Sequence, residues 1–119
     1  MKKAIIIKYS QEFEVELKEL RQAILADKNN HFNIQLLKAI EREKENLKIN
    51  PHHGTQIPKK QIPEEYIERL GMTNLWKIDL PDFWRMLYTI TGNELEIISV
   101  LLNFMDHDKY NKLFGYRKL

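Results

Sequence analysis

The period of the hydrophobic positions changes several times along the chain, and each period predicts one element. The segment Lys3–Tyr9 is a nearly continuous β-branched run, which predicts a first strand buried on both faces or nearly so. Ser10 is a favourable N-cap residue, and three- and four-residue apolar steps then predict a helix to about Asp27. The apolar stripe of this helix is Phe13, Leu17, Leu20 and Ile24.

A polar break at residues 28–31 separates this helix from a second one, for which Asn33 is the predicted N-cap. The second stripe is predicted at Ile34, Leu37, Ile40 and Leu47, with the charged run 41–45 largely on the solvent side. Leu36, like Ile67 further along, fits no core stripe and is predicted to be exposed. Two helices joined by a short polar loop form an antiparallel hairpin.

The remaining chain begins with a loop segment from Asn50 to Gly71, which is punctuated by proline and glycine and holds a short predicted helix around Tyr66. Asp106 can cap a last short helix that ends at Gly115. Between the loop segment and this last helix, alternating or apolar runs separated by turn residues predict three strands: Leu75–Leu80, Phe83–Ile90 and Leu95–Phe104.

This order, β–α–α–β–β–β–α, predicts the fold class α+β. We expect a four-stranded, mostly antiparallel sheet that includes the N-terminal strand, with the two-helix hairpin packed on one face and the other face partly open. The length of 119 residues predicts a single domain over residues 1–119.

The composition excludes several kinds of chemistry. The absence of cysteine rules out disulfides, cysteine-based zinc sites, iron–sulfur clusters and thiol nucleophiles. No apolar run is long enough to span a bilayer and the N-terminus lacks a signal-peptide pattern, so a cytoplasmic protein without membrane contact is expected. Adjacent side chains diverge, so His52 and His53 do not indicate a metal site, and no cofactor motif occurs.

Arg85 is the first candidate for chemistry, because it projects from a strand on the side opposite Trp84, Met86 and Tyr88. Two interpretations stay open: a salt bridge to Asp79 or Glu96, or a guanidinium fork that binds a phosphate bidentately.

Residues beyond the last strand can converge on the face that carries Arg85. His107 there is also consistent with a cap or a solvated residue, and Tyr110 with a core residue at helical spacing from Phe114. The net charge is only +2, but the C-terminal residues from His107 onward are locally basic, with Lys109, Lys112, Arg117 and Lys118 against Asp108. This distribution indicates either one anion-facing surface or a solvated helix end.

The segment from Asn74 to Ile90, with Arg85-Met-Leu-Tyr88 within it, followed by Glu96-Ile-Ile and His107-Asp-Lys-Tyr110, resembles the RelE/ParE superfamily of toxins from type II toxin–antitoxin systems. The order of elements in that superfamily also agrees with the predicted order. The resemblance implies a toxin held by a cognate antitoxin protein, which would cover basic and apolar surface including Leu36 and Ile67.

For RelE- and YoeB-like members, the resemblance implies an endoribonuclease that cleaves mRNA on the ribosome without a metal or other cofactor. By motif position, Arg85 would stabilise the phosphate, His107 would act as acid or base, and Tyr110 would approximate the C-terminal tyrosine. Lys77 sits where such hairpins carry a basic residue, and Lys109, Lys112 and Arg117 would bind RNA.

For ParE-like members, the resemblance implies instead a protein that inhibits DNA gyrase and has no nuclease site, and an inactive relative is a further alternative. Asp79 departs from the nuclease pattern, because it places a negative charge among the expected cations. A concave positive face shared by Arg85, Lys77, His107 and Tyr110 would favour the nuclease. Burial of Arg85 against a carboxylate with His107 turned away would argue against it.

Overall fold

A five-stranded mixed sheet forms the centre of the computed structural model, which describes residues 2–115. The sheet order is β1-β5-β4-β3-β2, with β1 parallel to β5 and all other neighbours antiparallel. The predicted α+β class is confirmed. The elements in chain order are β1 (Ala4–Tyr9), α1 (Gln11–Ala26), α2 (His31–Ile49), β2 (Thr55–Gln56), α3 (Glu64–Leu70), β3 (Trp76–Asp79), β4 (Arg85–Gly92), β5 (Glu96–Met105) and α4 (His107–Leu113), with 3₁₀ turns at Lys59–Gln61 and Pro81–Phe83.

The prediction of four strands was wrong by one, because β2 lies in the segment that was assigned to a loop. Its two residues pair with Trp76 and Lys77 of β3. A strand of two residues is too short to show alternation, so the hydrophobic pattern cannot reveal it. Within the described residues, no helix is both long and apolar enough to cross a membrane.

The segment before β2 is attached to the sheet through Tyr88. The Tyr88 hydroxyl accepts a hydrogen bond from Gly54 N–H at 3.0 Å and donates one to the Pro51 carbonyl at 2.9 Å. Burial raises the pKa of Tyr88 to about 12, so this hydroxyl keeps its proton at neutral pH. A Cβ atom on Gly54 would lie 2.7 Å from the Lys77 carbonyl oxygen, so this close approach requires glycine.

The predicted caps are correct for α1 and wrong for α2. Ser10 Oγ accepts a hydrogen bond from Phe13 N–H at 3.0 Å, as expected for an N-cap. In α2 the N-cap is Asn30, whose side chain accepts from the N–H of Asn33 at 3.2 Å. Asn33, the predicted cap, is therefore the third residue of the helix.

One face of the sheet is covered by α1 and α2, as predicted. The hydrophobic core on this face includes Phe13, Leu17, Leu20, Ile40, Leu47, Met86, Tyr88 and Phe104, with Trp84 and Ile90 packed against it. The alternation of β4 was therefore predicted correctly.

Leu36 is 1% exposed and belongs to this core, so its predicted exposure was wrong, whereas Ile67 is exposed as predicted. The buried stripe of α2 runs Leu36, Ala39, Ile40, Glu43 and Leu47. α2 contacts both α1 and β1, so its apolar surface is wider than the one stripe that was assigned.

Glu43 lies on the buried stripe of α2 although it belongs to the charged run that was predicted to face solvent. Its Oε2 atom is 2.9 Å from His53 Nε2, and its Oε1 atom accepts a hydrogen bond from Asn46 at 3.2 Å. His52 instead packs edge-on against Trp76. The two neighbouring histidines thus point to different partners.

The second face of the sheet was predicted to be partly open, and this was wrong for the part formed by β4 and β5. α3, α4 and the segment between α2 and β3 cover it with a second hydrophobic cluster: Ile57, Ile62, Tyr66, Met72, Leu75, Leu87, Leu102, Met105 and Tyr110. The residues between α2 and β3 contribute apolar side chains too far apart in sequence to show a period, which is why they were assigned to a loop.

Candidate functional site

Arg85 begins β4 and projects from the sheet face opposite α1 and α2. Its partner across the ladder is Asp79 of β3. The Nε atom lies 2.9 Å from Asp79 Oδ1, and Nη1 donates a hydrogen bond to the Trp84 carbonyl at 3.2 Å. With 19% of its side chain exposed, Arg85 is mostly buried and held against a carboxylate. Of the two carboxylates considered from the sequence, Asp79 is the partner.

Lys77 approaches the same carboxylate oxygen as Arg85. Its Nζ atom lies 3.5 Å from Asp79 Oδ1. Two cations therefore share one anion, and this triplet keeps a net positive charge of one. The Asp79 side chain is 68% exposed, whereas those of Lys77 and Arg85 are 28% and 19% exposed, so the carboxylate is the most accessible member of the triplet.

Tyr110 of α4 packs beneath the guanidinium of Arg85. The Arg85 Cζ atom is 5.6 Å from the centre of the Tyr110 ring, within the range of a cation–π contact. Tyr110 itself is 6% exposed, and its ring centre lies 4.4 Å from that of Phe114. Of the two sequence interpretations, the structure places Tyr110 in the core, in contact with the proposed site residue.

His107 is the first residue of α4. It lies two positions after Met105, the residue of β5 that pairs with Arg85. Asp106 caps this helix by accepting a hydrogen bond from Lys109 N–H at 2.8 Å. The His107 side chain is half exposed, with Nδ1 at 3.5 Å from Asp108 Oδ1 and the ring centre 6.2 Å from that of Phe83. It thus lies against the turn that precedes Arg85.

The remaining predicted cations lie elsewhere or outside the described residues. Lys109 and Lys112 line a cleft of about 360 Å³ together with Arg69, Glu12 and Glu65, and neither Arg85 nor Lys77 lines it. Arg117 lies outside the described residues. The structure therefore brings Arg85, Lys77 and Tyr110 together, whereas Lys109 and Lys112 line a cleft to which neither Arg85 nor Lys77 contributes.

A polar network between α1, α3 and β5 was not predicted from the sequence. Asn103 accepts a hydrogen bond from the Tyr66 hydroxyl at 2.9 Å and donates to Glu12 at 2.9 Å. Glu16 accepts from Phe104 N–H at 3.0 Å, and burial raises the pKa of the Glu16 carboxyl above its ordinary value. The polar Asn103 near the end of a mostly apolar strand was a visible signal of this network.

The Glu16 carboxyl predicts a specific pH dependence of stability. A carboxyl whose pKa is higher in the folded state stabilises the fold below its unfolded pKa, and this contribution is lost as pH rises through the folded pKa. We therefore expect Glu16→Gln to raise the thermal midpoint by a few degrees at pH 7 and to have little effect at pH 3.5. Thermal melts followed by circular dichroism at both pH values test this, with exposed Glu19→Gln as the control. An equal shift at both pH values would contradict it.

Comparison with known proteins gives a family for this chain. Residues 7–103 match the family model of the ParE toxin of type II toxin–antitoxin systems of the parDE kind. A search of curated proteins finds no match. The matched residues include Lys77, Asp79 and Arg85, and end before α4. The resemblance to the RelE/ParE superfamily is confirmed over most of the chain, and with it a cognate antitoxin as partner. The chain therefore belongs to the ParE toxin family of type II toxin–antitoxin systems.

Proposed function

We propose that this toxin cleaves mRNA on the ribosome in the cytoplasm, with Arg85 as the residue that stabilises the reacting phosphate. The observation that carries the proposal is that Arg85 and Lys77 lie together with a net positive charge, and that His107 lies beside the turn that leads into Arg85 rather than turned away from it. Asp79, the Trp84 carbonyl and the Tyr110 ring contact the guanidinium, and Lys77 lies on the same carboxylate. A cation that is already oriented needs no reorganisation when charge develops on a phosphate.

The proposed reaction is attack of a ribose 2′-hydroxyl on the adjacent phosphorus. The O2′–P bond forms, the P–O5′ bond breaks, and the products are a 2′,3′-cyclic phosphate and a 5′-hydroxyl. A base must take the 2′ proton and an acid must protonate the leaving 5′ oxygen, while Arg85 and Lys77 balance the charge on the non-bridging oxygens. His107 is the proposed acid or base, because its half-exposed imidazole lies next to the turn that leads into Arg85.

The role of His107 gives a prediction of moderate size. We expect His107→Gln to slow cleavage by about 10- to 10²-fold, because glutamine keeps polar contacts but does not transfer a proton, and water can substitute in part. The pH–rate profile should differ between the wild type and the variant, because the variant lacks one proton-transfer group. His31→Gln, an exposed histidine in α2, is the control. A variant with the wild-type rate and profile would remove His107 from the mechanism.

Inhibition of DNA gyrase without catalysis is the second candidate function. It is favoured by the contact between Arg85 and Asp79, because a paired and mostly buried arginine is less available to a phosphate. In this alternative Arg85 is structural, and the toxin acts by occupying a protein surface.

Two assays with the same purified toxin distinguish these functions. Programmed ribosomes with a labelled mRNA report cleavage, and purified gyrase with relaxed plasmid reports supercoiling. We expect mRNA cleavage at codon-length intervals from ribosomes, none of free mRNA, and unchanged supercoiling. Intact mRNA together with lost supercoiling would establish the alternative, and addition of the cognate antitoxin should abolish whichever effect is found.

A further inference from the structure

The turn that leads into Arg85 has an unusual backbone. Asp82 has φ 57° and ψ 39°, and Phe83 has φ 63°, so two consecutive non-glycine residues lie in the left-handed region. Asp tolerates this conformation, but an aromatic side chain there is uncommon and costly. The turn is closed by hydrogen bonds from Leu80 N–H to the Trp84 carbonyl at 2.8 Å and from Trp84 N–H to the Pro81 carbonyl at 3.3 Å.

This backbone turns the two aromatic residues of the turn in opposite directions. Trp84 packs against the core below the helices, whereas Phe83 is 67% exposed. The Phe83 ring is tilted by 32° from the half-exposed ring of His107, with 6.2 Å between the ring centres. A left-handed backbone at an aromatic residue costs free energy, and a ring that is 67% exposed and contacts the half-exposed His107 recovers little of it through burial, so a ligand is the better explanation.

The charges around Phe83 indicate which part of a nucleic acid would lie there. Asp82 is next to Phe83 in the turn, and Asp108 lies beside His107. These carboxylates disfavour a phosphate directly over the rings. Arg85 lies two residues after Phe83, and Lys77 lies on the neighbouring strand β3. These two cations favour a phosphate beside them. An uncharged base over Phe83 and its phosphate at Arg85 satisfy both conditions.

We propose that Phe83 is the stacking surface for one unpaired RNA base, and that His107 lies beside the Phe83 ring. The inference rests on the proposed function, because it assigns the base next to the phosphate that Arg85 would bind. Aromatic side chains recognise single-stranded RNA in this way, since every base has a π-face and stacking does not require a fixed sequence. The strain at Phe83 is then the cost of presenting the ring.

Binding of an uncleavable RNA tests this without requiring catalysis. The probe is a 2′-O-methyl tetranucleotide that contains 2-aminopurine, whose fluorescence is quenched when it stacks. Phe83→Leu keeps the apolar volume and removes the π-face, whereas Phe83→Tyr keeps the ring. We expect Phe83→Leu to weaken binding by about 5- to 100-fold with loss of the quench, and Phe83→Tyr to bind within about threefold of the wild type. Leu95→Ala, an exposed apolar residue before β5, is the control and should bind normally.

A second probe and a second variant distinguish stacking from a general apolar contact. A tetranucleotide with an abasic site at the stacked position should bind the wild type and Phe83→Leu equally. Phe83→Gly should lose the quench without lowering the thermal midpoint, because glycine relieves the left-handed backbone. A gain or no change in stability together with lost RNA binding is the signature of a residue kept for a ligand.

Several outcomes would overturn the inference. One is equal RNA affinity of wild type and Phe83→Leu, and another is an undetectable affinity of the wild type for the probe. A third is a Phe83→Leu variant that binds RNA normally but escapes neutralisation by the antitoxin, which would make Phe83 a protein contact. RNA binding that depends on Phe83, without mRNA cleavage on ribosomes, would support the inference while refuting the proposed nuclease.

Discussion

Replacing Arg85 with alanine is expected to lower the rate of mRNA cleavage on programmed ribosomes by about 10²- to 10³-fold. The reason is electrostatic. The phosphodiester gains negative charge in the transition state, and the fold orients the Arg85 guanidinium through Asp79, the Trp84 carbonyl and the Tyr110 ring. Arg85→Lys should recover part of the rate, because lysine keeps the charge but loses the bidentate geometry. Single-turnover cleavage of a labelled mRNA gives the rate directly.

The control for this experiment is another arginine that the chain carries at its surface. Arg69 has an exposed side chain, 3.9 Å from Glu12, so Arg69→Ala should cleave within about twofold of the wild type. Arg85 is more buried than the sequence suggested, so circular dichroism and a thermal melt must accompany the rate. A folded Arg85→Ala variant with the wild-type rate, or one that unfolds, would make Arg85 structural and would mean that Arg85 is not the phosphate-stabilising residue.

The elements that position Arg85 could be predicted because their signals are local. In β4 the alternation of Trp84, Met86 and Tyr88 with Arg85 and Leu87 determines which side chains face the helices, and a period of two needs only a few residues to be visible. The first cap, Ser10, was likewise readable from its neighbours, because an N-cap bonds to backbone only three residues away.

The environment of Arg85 could be predicted only in part, because it depends on residues far apart in sequence. The sequence offered Asp79 and Glu96 as partners, and only the register of β3 against β4 selects Asp79. Tyr110 reaches the guanidinium because α4 folds back over the sheet, which no local pattern indicates. The left-handed backbone at Phe83 was also invisible, since the turn contains no glycine to suggest it.

The largest expected loss of stability comes from Leu36, a residue that the sequence pattern assigned to the surface. Leu36 is 1% exposed and packs in the core between α2 and the sheet. Leu36→Ala should lower the free energy of unfolding by about 2–5 kcal/mol, because it removes buried methyl groups and leaves a cavity that close-packed neighbours fill only partly. Urea denaturation followed by tryptophan fluorescence measures this loss.

Ile67 is the matched control, because the sequence assigned it to the same exposed class and the structure leaves it 45% exposed. Ile67→Ala should therefore change the free energy of unfolding by less than about 1 kcal/mol. If Ile67 contributes to antitoxin binding, as its exposure on α3 allows, the variant should bind antitoxin more weakly while remaining stable. Equal destabilisation by the two variants would contradict the placement of Leu36 in the core. A stable Leu36→Ala variant that loses antitoxin binding would instead support the original prediction that Leu36 is exposed and contacts the antitoxin.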